Sequence, residues 1–352
     1  MRVQHDVPLA SCTTIRLGGP AATMIDVTSE DELVLALAEA KTAGAPVFIL
    51  GGGSNVVVSD AGWPGVVLRI GLRGRDATRE GDRVVLSVAA GEPWDDVVGR
   101  SVDDGWGGIE CLSGIPGLAG ATPIQNVGAY GQEVSDTILR VRAYDRSEQK
   151  FVEIERFNCG FAYRESRFRG SDRYVVTRVD FALAVAQDGA PMRYAELARA
   201  LGVQVGNKAS LRSVRDAVLS LRRTKGMICD PTDPESVSAG SFFTNPVLGK
   251  HARDVLERSL RRDGVLRREE SLPGFDAGLG RWKISAAWLI ERAGFTKGLR
   301  RGGVGISMRH ALALVNRGGT TAELLAFADE ICAGVEAKFS VSLQREPVAV
   351  GS

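Results

Sequence analysis

The sequence predicts an α+β chain of more than one domain. Three observations carry this. Residues 23–58 alternate strand, helix and strand patterns, residues 83–183 read mainly as strands, and helical spacing takes over from Ser213. The length of 352 residues fits two to three domains at roughly 150 residues each.

Each element has a local reason. The run 23–27 is a strand that leads to Ser29, whose hydroxyl suits a helix N-cap, with Glu32 completing a capping box. Leu33, Leu35, Leu37 and Ala38 supply an apolar stripe and Gly44 stops the helix. A strand at 46–50 runs into Gly51-Gly52-Gly53-Ser54-Asn55 and then the apolar stretch 56–58. Strands are expected at 65–70 and 83–89, and a helix at 94–105. The segment 113–131, SGIPGLAGATPIQNVGAYG, holds glycines at 114, 117, 120, 128 and 131, a density that suits neither helix nor strand. Strands resume at 138–144, 151–154 and 173–183 and enclose Phe161-Ala162-Tyr163-Arg164-Glu165-Ser166. Val214, Ala217, Val218 and Leu221 then recur at helical spacing up to Arg222-Arg223-Thr224-Lys225, which puts a domain boundary near 210–225. Helices follow at 252–262, 284–293 and 321–338, the last with Thr320 and Glu323 as a capping box. Strands at 339–343 and 346–350 close the chain.

Composition excludes several classes. Lys plus Arg number 44 against 43 Asp plus Glu, a net charge of +1 that argues against a nucleic-acid binder. No apolar run approaches the ~20 residues of a membrane span, and MRVQHDVPLA lacks the apolar region of a signal peptide. A cytoplasmic protein is expected. Five scattered cysteines with no C-x-x-C disfavour a disulfide framework and a zinc site, and three dispersed histidines make neither a metal centre nor an obvious Ser-His-Asp triad. No metal is expected, and the chemistry points to a borrowed cofactor. Glycine, 42 of 352 residues or about 12% against the usual ~7%, is clustered, so the clusters are where to look for it.

Consecutive glycines at 51–53 let backbone N–H groups converge into an anion nest, and they serve a plain tight turn as well. The segment lacks the Lys-Ser/Thr ending of a P-loop, and no G-x-G-x-x-G follows a strand. The second cluster adds donors, with Gln125 and Asn126 bringing amides suited to a flat heterocycle. One such loop is explained by turns alone; two suggest a long pyrophosphate-containing cofactor. Arg164 offers a planar fork for a carboxylate or enolate, although most isolated arginines are merely solvated. Ser241 stands on a Gly-anchored turn beside Phe242 and Phe243, either aimed at a ligand or a simple cap or turn serine. Glu346, between Arg345 and Pro347, is by default a surface carboxylate.

Eight ordered segments nonetheless resemble one family. They are TTIRLGGPA at 13–21, ILGGGSNVVVSD at 49–60, GIPGLAGATPIQNVGAYG at 114–131, CGFAYRESRF at 159–168, RRTKGMICDP at 222–231, AGSFFTNP at 239–246, KISAAWLIERAG at 283–294 and HALALVNRGG at 310–319. Together they resemble the UDP-N-acetylenolpyruvoylglucosamine reductases (MurB family) over nearly the whole chain. The resemblance implies a two-lobed FAD-binding domain of the vanillyl-alcohol oxidase (PCMH) type, with lobes at 1–70 and 71–212, a C-terminal α+β substrate-binding domain at 213–343, and a final strand at 344–352 carrying a catalytic Glu.

It further implies an NADPH-dependent flavoenzyme of peptidoglycan precursor synthesis that reduces the enolpyruvyl group of UDP-N-acetylglucosamine enolpyruvate to give UDP-N-acetylmuramate. By the same likeness Arg164 and Glu346 stabilise an enolate-like intermediate and Ser241 protonates it. The FAD would be held by Gly51, Gly52, Gly53, Ser54 and Asn55, and by Ser113, Gly114, Ile115, Pro116, Gly117, Ala121, Thr122, Gln125, Asn126, Gly128, Ala129 and Tyr130. Tyr163, Tyr194, Lys225, Asn245 and His310 would face the substrate. His310 stands where some relatives carry Gln, and Gly52 where some carry an acid. The alternatives are another PCMH-type flavin oxidoreductase, such as a sugar or alcohol oxidase, and a nucleotide-sugar-binding protein that has lost catalysis. Such oxidases often attach FAD covalently through His or Cys, and Cys111 is the candidate near the second loop. A monomer without nucleic-acid or membrane partners is expected.

Overall fold

The computed structural model describes residues 1–351. The chain forms two compact units, one made of Met1–Val7, Ala21–Gly53 and Trp63–Ile228, the other of Pro8–Pro20, Ser54–Gly62 and Cys229–Ser352.

The first unit carries two sheets. In the smaller, the strand order is Arg2–Pro8, Pro20–Val27, Trp63–Ile70 and Val47–Leu50, and the last two strands named and Pro20–Val27 run parallel. A parallel pair needs a crossover. Helix α1 (Glu30–Thr42) supplies it, lays Leu33, Ala36 and Leu37 against Ile25, Val27, Leu68 and Ile70, and buries Ala40 as well. The buried stripe therefore follows i, i+3, i+4, i+7, and the expected members Leu35 and Ala38 point outward, because their spacing is off that period. Ser29 caps α1 as expected, accepting from the Glu32 N–H, but the Glu32 carboxylate turns to Thr28 instead of closing the box. Its neighbour Glu30 accepts a two-pronged bond from Arg142 at 2.8 and 2.9 Å and one from Thr177 at 2.7 Å.

Arg142 and Thr177 belong to the larger sheet, ordered Lys150–Glu155, Ile138–Asp145, Tyr174–Val185, Arg83–Ala89 and Arg75–Glu80, antiparallel throughout, with Trp106–Gly107 added on Tyr174–Val185. Helix α2 (Trp94–Asp103) packs on it through Trp94, Val97 and Val98, with the Trp94 and Phe181 rings 5.6 Å apart. Helices α3 (Ala195–Ala200) and α4 (Leu211–Thr224) share a core of Met192, Leu197, Ala198, Val214, Val218 and Cys111. The apolar side of α4 is buried inside the first unit, and the change of unit comes after Ile228, where the sequence reading expects a boundary at 212/213.

The second unit holds a four-stranded sheet ordered Ser238–Ser241, Ala313–Asn316, Val304–Ile306 and Arg300–Arg301, and a three-stranded one ordered Val247–Gly249, Arg281–Ile284 and Gly274–Asp276. Helices α5 (Lys250–Arg262), α6 (Ala286–Arg292) and α7 (Thr321–Phe339) enclose a core with Phe242, Phe243, Leu289, Ile290, Phe327 and Ile331. The strand Val348–Val350 pairs in parallel with Val56–Val58. The strand expected at 339–343 is not one. α7 runs to Phe339, Ser340 takes φ +52°, and Val341 and Leu343 are buried by side chain alone, while the backbone bonds to 242–244 begin at Gln344. None of the helices among the described residues is long and apolar enough to cross a membrane.

The N-terminus of α7 is fully provided for. Thr320 and Glu323 form the complete capping box, and the Asp60 carboxylate accepts the Thr321 and Ala322 N–H groups at 2.8 and 2.9 Å. Substituting Thr320→Ala should cost about 1 kcal/mol, read as a lower denaturant midpoint for the second unit; an unchanged midpoint would show that Asp60 caps the helix unaided.

Candidate active site

Two glycine-rich segments, remote in sequence, meet in the first unit. A Cβ on Gly52 would lie 2.7 Å from the Gly117 Cα, and one on Gly51 would lie 3.9 Å from the Ala121 Cβ. Gly53, Gly114 and Gly117 hold φ of +63°, +71° and +116°, conformations that L side chains rarely adopt. The loops thus approach backbone to backbone with no side chain between them, as amide N–H groups must when they receive a pyrophosphate. The residues present fit that kind of group. The contact also gives the glycine at position 52 a steric reason.

Much of the second loop is devoted to its own shape. The Ser113 hydroxyl, fully buried, donates to the Glu110 carbonyl at 2.7 Å, and the Thr122 hydroxyl donates to the Ala119 carbonyl at 2.8 Å. Asn126, expected to offer its amide to a heterocycle, is 1% exposed and commits it to the protein: Nδ2 donates to Glu133 Oε2 at 2.7 Å and to the Ala162 carbonyl at 3.0 Å, and Oδ1 accepts from Ser135 at 3.1 Å. Asp95 and Arg215 hold the loop's start. The Asp95 carboxylate accepts the Gly114 N–H at 2.6 Å and a two-pronged bond from Arg215 at 2.6 and 3.0 Å. Gln132 secures the other end, accepting from the Cys111 N–H and donating to the buried Glu110 carboxylate, both at 2.8 Å. Gln125, Ile115, Pro116 and Ala121 are half-buried along the same loop, as are Gly128 and Ala129.

Tyr163 and Arg164 form the tip of a hairpin closed by reciprocal bonds between Ala162 and Glu165, both 3.1 Å. Arg164 occupies the left-handed position of this turn at φ +55°, a place that glycine fills at less cost. Three bonds pin the hairpin to the second loop: Asn126 to Ala162, Ser166 to the Ile124 carbonyl at 2.5 Å, and Arg164 Nη2 to the Gly128 carbonyl at 2.8 Å. The guanidinium also lies over the Tyr163 ring at 5.3 Å. Two further non-glycine residues of the loop, Asn126 and Tyr130, are left-handed at +46° and +49°.

Tyr130 leads to the remaining residues of this unit. Its ring meets that of Tyr194 edge-on, centroids 5.6 Å apart, and the Lys225 ammonium stands 5.7 Å from its centre. Burial pushes the Tyr130 hydroxyl up to about 12, against the pull of Arg222, and raises that of Tyr194 as well, so both stay protonated donors at neutral pH. Cys111, the residue considered for covalent attachment, is 3% exposed and its thiol is pushed well up by burial, far from the reactive thiolate such a bond needs.

In the second unit, Ser241 ends its strand opposite Ala313, and the next residue, Phe242, accepts from the Glu346 N–H at 2.9 Å. Ser241 and Glu346 are therefore carried on adjacent extended segments. Glu346 is 9% exposed, not the surface carboxylate that the default reading of its neighbours gives. Asn55 binds this segment, its Nδ2 donating to the Glu346 carbonyl at 3.4 Å and its own carbonyl accepting from Val348 at 3.0 Å. Ser54 precedes it, half-buried. His310 sits just before the strand beside Ser241, its carbonyl accepting the Ala313 N–H at 3.1 Å. Asn245 accepts the Ala286 N–H at 2.9 Å and so closes the start of α6 through its oxygen. The supports Asp95, Arg215, Glu133 and Glu110 escape sequence reasoning, because each acts on a partner that nothing in its own neighbourhood marks.

The chain matches known proteins over nearly its whole length. Residues 231–350 match the family model described as UDP-N-acetylenolpyruvoylglucosamine reductase, C-terminal domain, and residues 21–154 match an FAD binding domain. Curated UDP-N-acetylenolpyruvoylglucosamine reductases from Thermobifida fusca and Streptomyces coelicolor are each 52% identical, over 99% of this chain and 98% and 90% of theirs. The solved structure of UDP-N-acetylenolpyruvylglucosamine reductase (MurB) from Thermus caldophilus covers 99% of both chains at a TM-score of 0.64 and 24% identity, a likeness of fold.

The Asp95 anchor makes the loop acid-sensitive. Burial raises its pKa, but Arg215 and the Gly114 N–H outweigh that and hold it below the ordinary 3.8. A lowered carboxyl contributes stability that is present above the unfolded pKa and lost as pH falls through the folded one. The stability gap between the native chain and Asp95→Asn should be constant above about pH 5 and close as the pH drops below 3.8. A gap independent of pH would show that Asp95 is not the group that titrates.

Proposed function

Because the chain belongs to the UDP-N-acetylenolpyruvoylglucosamine reductase family, we propose that it reduces the enolpyruvyl group of UDP-N-acetylglucosamine enolpyruvate to give UDP-N-acetylmuramate, a step of peptidoglycan precursor synthesis carried out in the cytoplasm. The observation that supports the residue assignments is the bond from the Glu346 N–H to the Phe242 carbonyl, which lays the segment carrying Glu346 along the strand that ends at Ser241. When bound, FAD supplies hydride transfer to the double bond, with NADPH as its reductant. Gly51, Gly52 and Gly53 with Ser54 and Asn55, and the loop from Ser113 to Tyr130, hold it. The close backbone contact at Gly52 and Gly117 supports that role.

The chain's own groups then manage charge and proton. Hydride addition at the terminal vinyl carbon leaves negative charge on the neighbouring carbon and its carboxylate. Arg164 offers that carboxylate a fixed positive charge on a hairpin tied at three points, the preorganisation that makes a donor effective. Ser241 donates its hydroxyl proton to the carbon. Glu346 would assist only as a protonated carboxyl, since a carboxylate there would repel the developing charge. Tyr163, Tyr194, Lys225, Asn245 and His310 contact the nucleotide sugar, with Lys225 and the Tyr194 hydroxyl suited to its diphosphate.

Anaerobic absorbance separates the two half-reactions. Ser241→Ala should leave bleaching by NADPH intact and slow recovery on adding the enolpyruvyl substrate by about 10²–10⁴-fold; equal recovery in the two proteins removes Ser241 as the acid. Gly52→Ala should purify with much less flavin at equal protein, because the added Cβ meets Gly117 backbone. A chain that binds no flavin, or recovers only when oxygen is admitted, is not this reductase.

A further inference from the structure

Lys225 does not stand alone beside Tyr130. Its Nζ lies 2.6 Å from Glu196 Oε2, and the two side chains are 29% and 38% exposed. Glu196 belongs to the first turn of α3, two residues after Tyr194, and α3 is fastened to α4 through Leu197 and Ala198. Lys225 follows the last residue of α4, so both ends of the ion pair are fixed by buried helix faces. Around the ammonium, Tyr130 presents a neutral ring, its hydroxyl pushed up to about 12, and Arg222 donates to the Met227 carbonyl at 2.7 Å. The anionic charge at hydrogen-bonding distance from Lys225 is that of Glu196.

We propose that Glu196 is a counter-ion displaced from Lys225 by the phosphate groups of the nucleotide sugar, and that it sets which anions the site accepts. In the ligand-free chain the carboxylate neutralises the ammonium and keeps it over Tyr130. An incoming ligand must exchange one carboxylate for its own charge. A diphosphate, carrying more charge and more acceptor oxygens, gains by the exchange, whereas a singly charged anion only matches what it removes. Both groups are partly exposed, so the pair is weak enough to be exchanged. Glu196 thus discriminates against weak anions at the cost of some affinity for the right one. This rests on the reading of Lys225 as a phosphate ligand.

The sign of one substitution tests it. Calorimetry on the full flavin-loaded chain would compare UDP with uridine for the native protein, Glu196→Gln, Lys225→Met and the double variant. Glu196→Gln should tighten UDP by roughly 1.5- to 5-fold and leave uridine unchanged, and the gain should vanish when Lys225 is also replaced. If Glu196→Gln leaves UDP affinity unchanged or weakens it while Lys225→Met weakens it, the pair is a structural clamp and the proposal falls alone. If Lys225→Met leaves UDP affinity unchanged, the assignment of Lys225 fails and the proposal with it.

Discussion

No Cβ fits between Gly52 and Gly117, and the first unit is arranged around that contact. Two loops can approach to this distance only if each is held from behind, since glycine gives up more backbone freedom on ordering than any other residue. The second loop is accordingly tied at both ends by side chains from outside it, Asp95 with Arg215 at Gly114, and Gln132 with Glu110 at Cys111. The polar residues within the loop that sequence suggests for ligand binding, Ser113, Thr122 and Asn126, turn inward for the same reason. The bonds of these three side chains make the loop's backbone rigid.

Strain gathers where the chemistry is assigned. Asn126, Tyr130 and Arg164 are left-handed non-glycine residues joined through the loop and its hairpin, each costing on the order of 1–3 kcal/mol unless its surroundings over-determine it. For Asn126 the surroundings are the three bonds of its amide. Arg164 is held by the hairpin's reciprocal pair and by Gly128. A glycine at 164 would relax the turn but carry no guanidinium, so the strain is the cost of placing that group at the tip.

How much of this is legible in sequence depends on the range of the interaction. The capping box at Thr320 and Glu323 and the cap at Ser29 are local, and they form where the residues indicate. The stripe of α1 slips by one or two positions, since all six residues from Leu33 to Ala38 are apolar and offer more than one periodic choice. The apparent strand at 339–343 shows the opposite failure: alternation reports which side chains are buried, not where the backbone finds partners. Short strands such as Ser238–Ser241 and Val304–Ile306 are too brief for periodicity, and the helix α4 is attached to its unit by contacts with Cys111 and Met192 that no local pattern encodes. The glycine clusters and the Tyr163-Arg164 pair stand out by composition, while their supports are invisible until the chain is folded.

The pairing of Val348–Val350 with Val56–Val58 has a consequence for biosynthesis. Asn55 bonds to a residue 291 positions later in the chain. At about 5–20 residues per second, the ribosome delivers that partner roughly 15–60 s after Asn55 has been made. Over this interval the apolar segment 56–58 has no parallel neighbour and is a bare strand edge, a form of chain that chaperones bind and aggregates recruit. The second unit is therefore completed only once residues 346–350 have been made, and their arrival brings its assembly and the proposed acid chemistry into place in a single event.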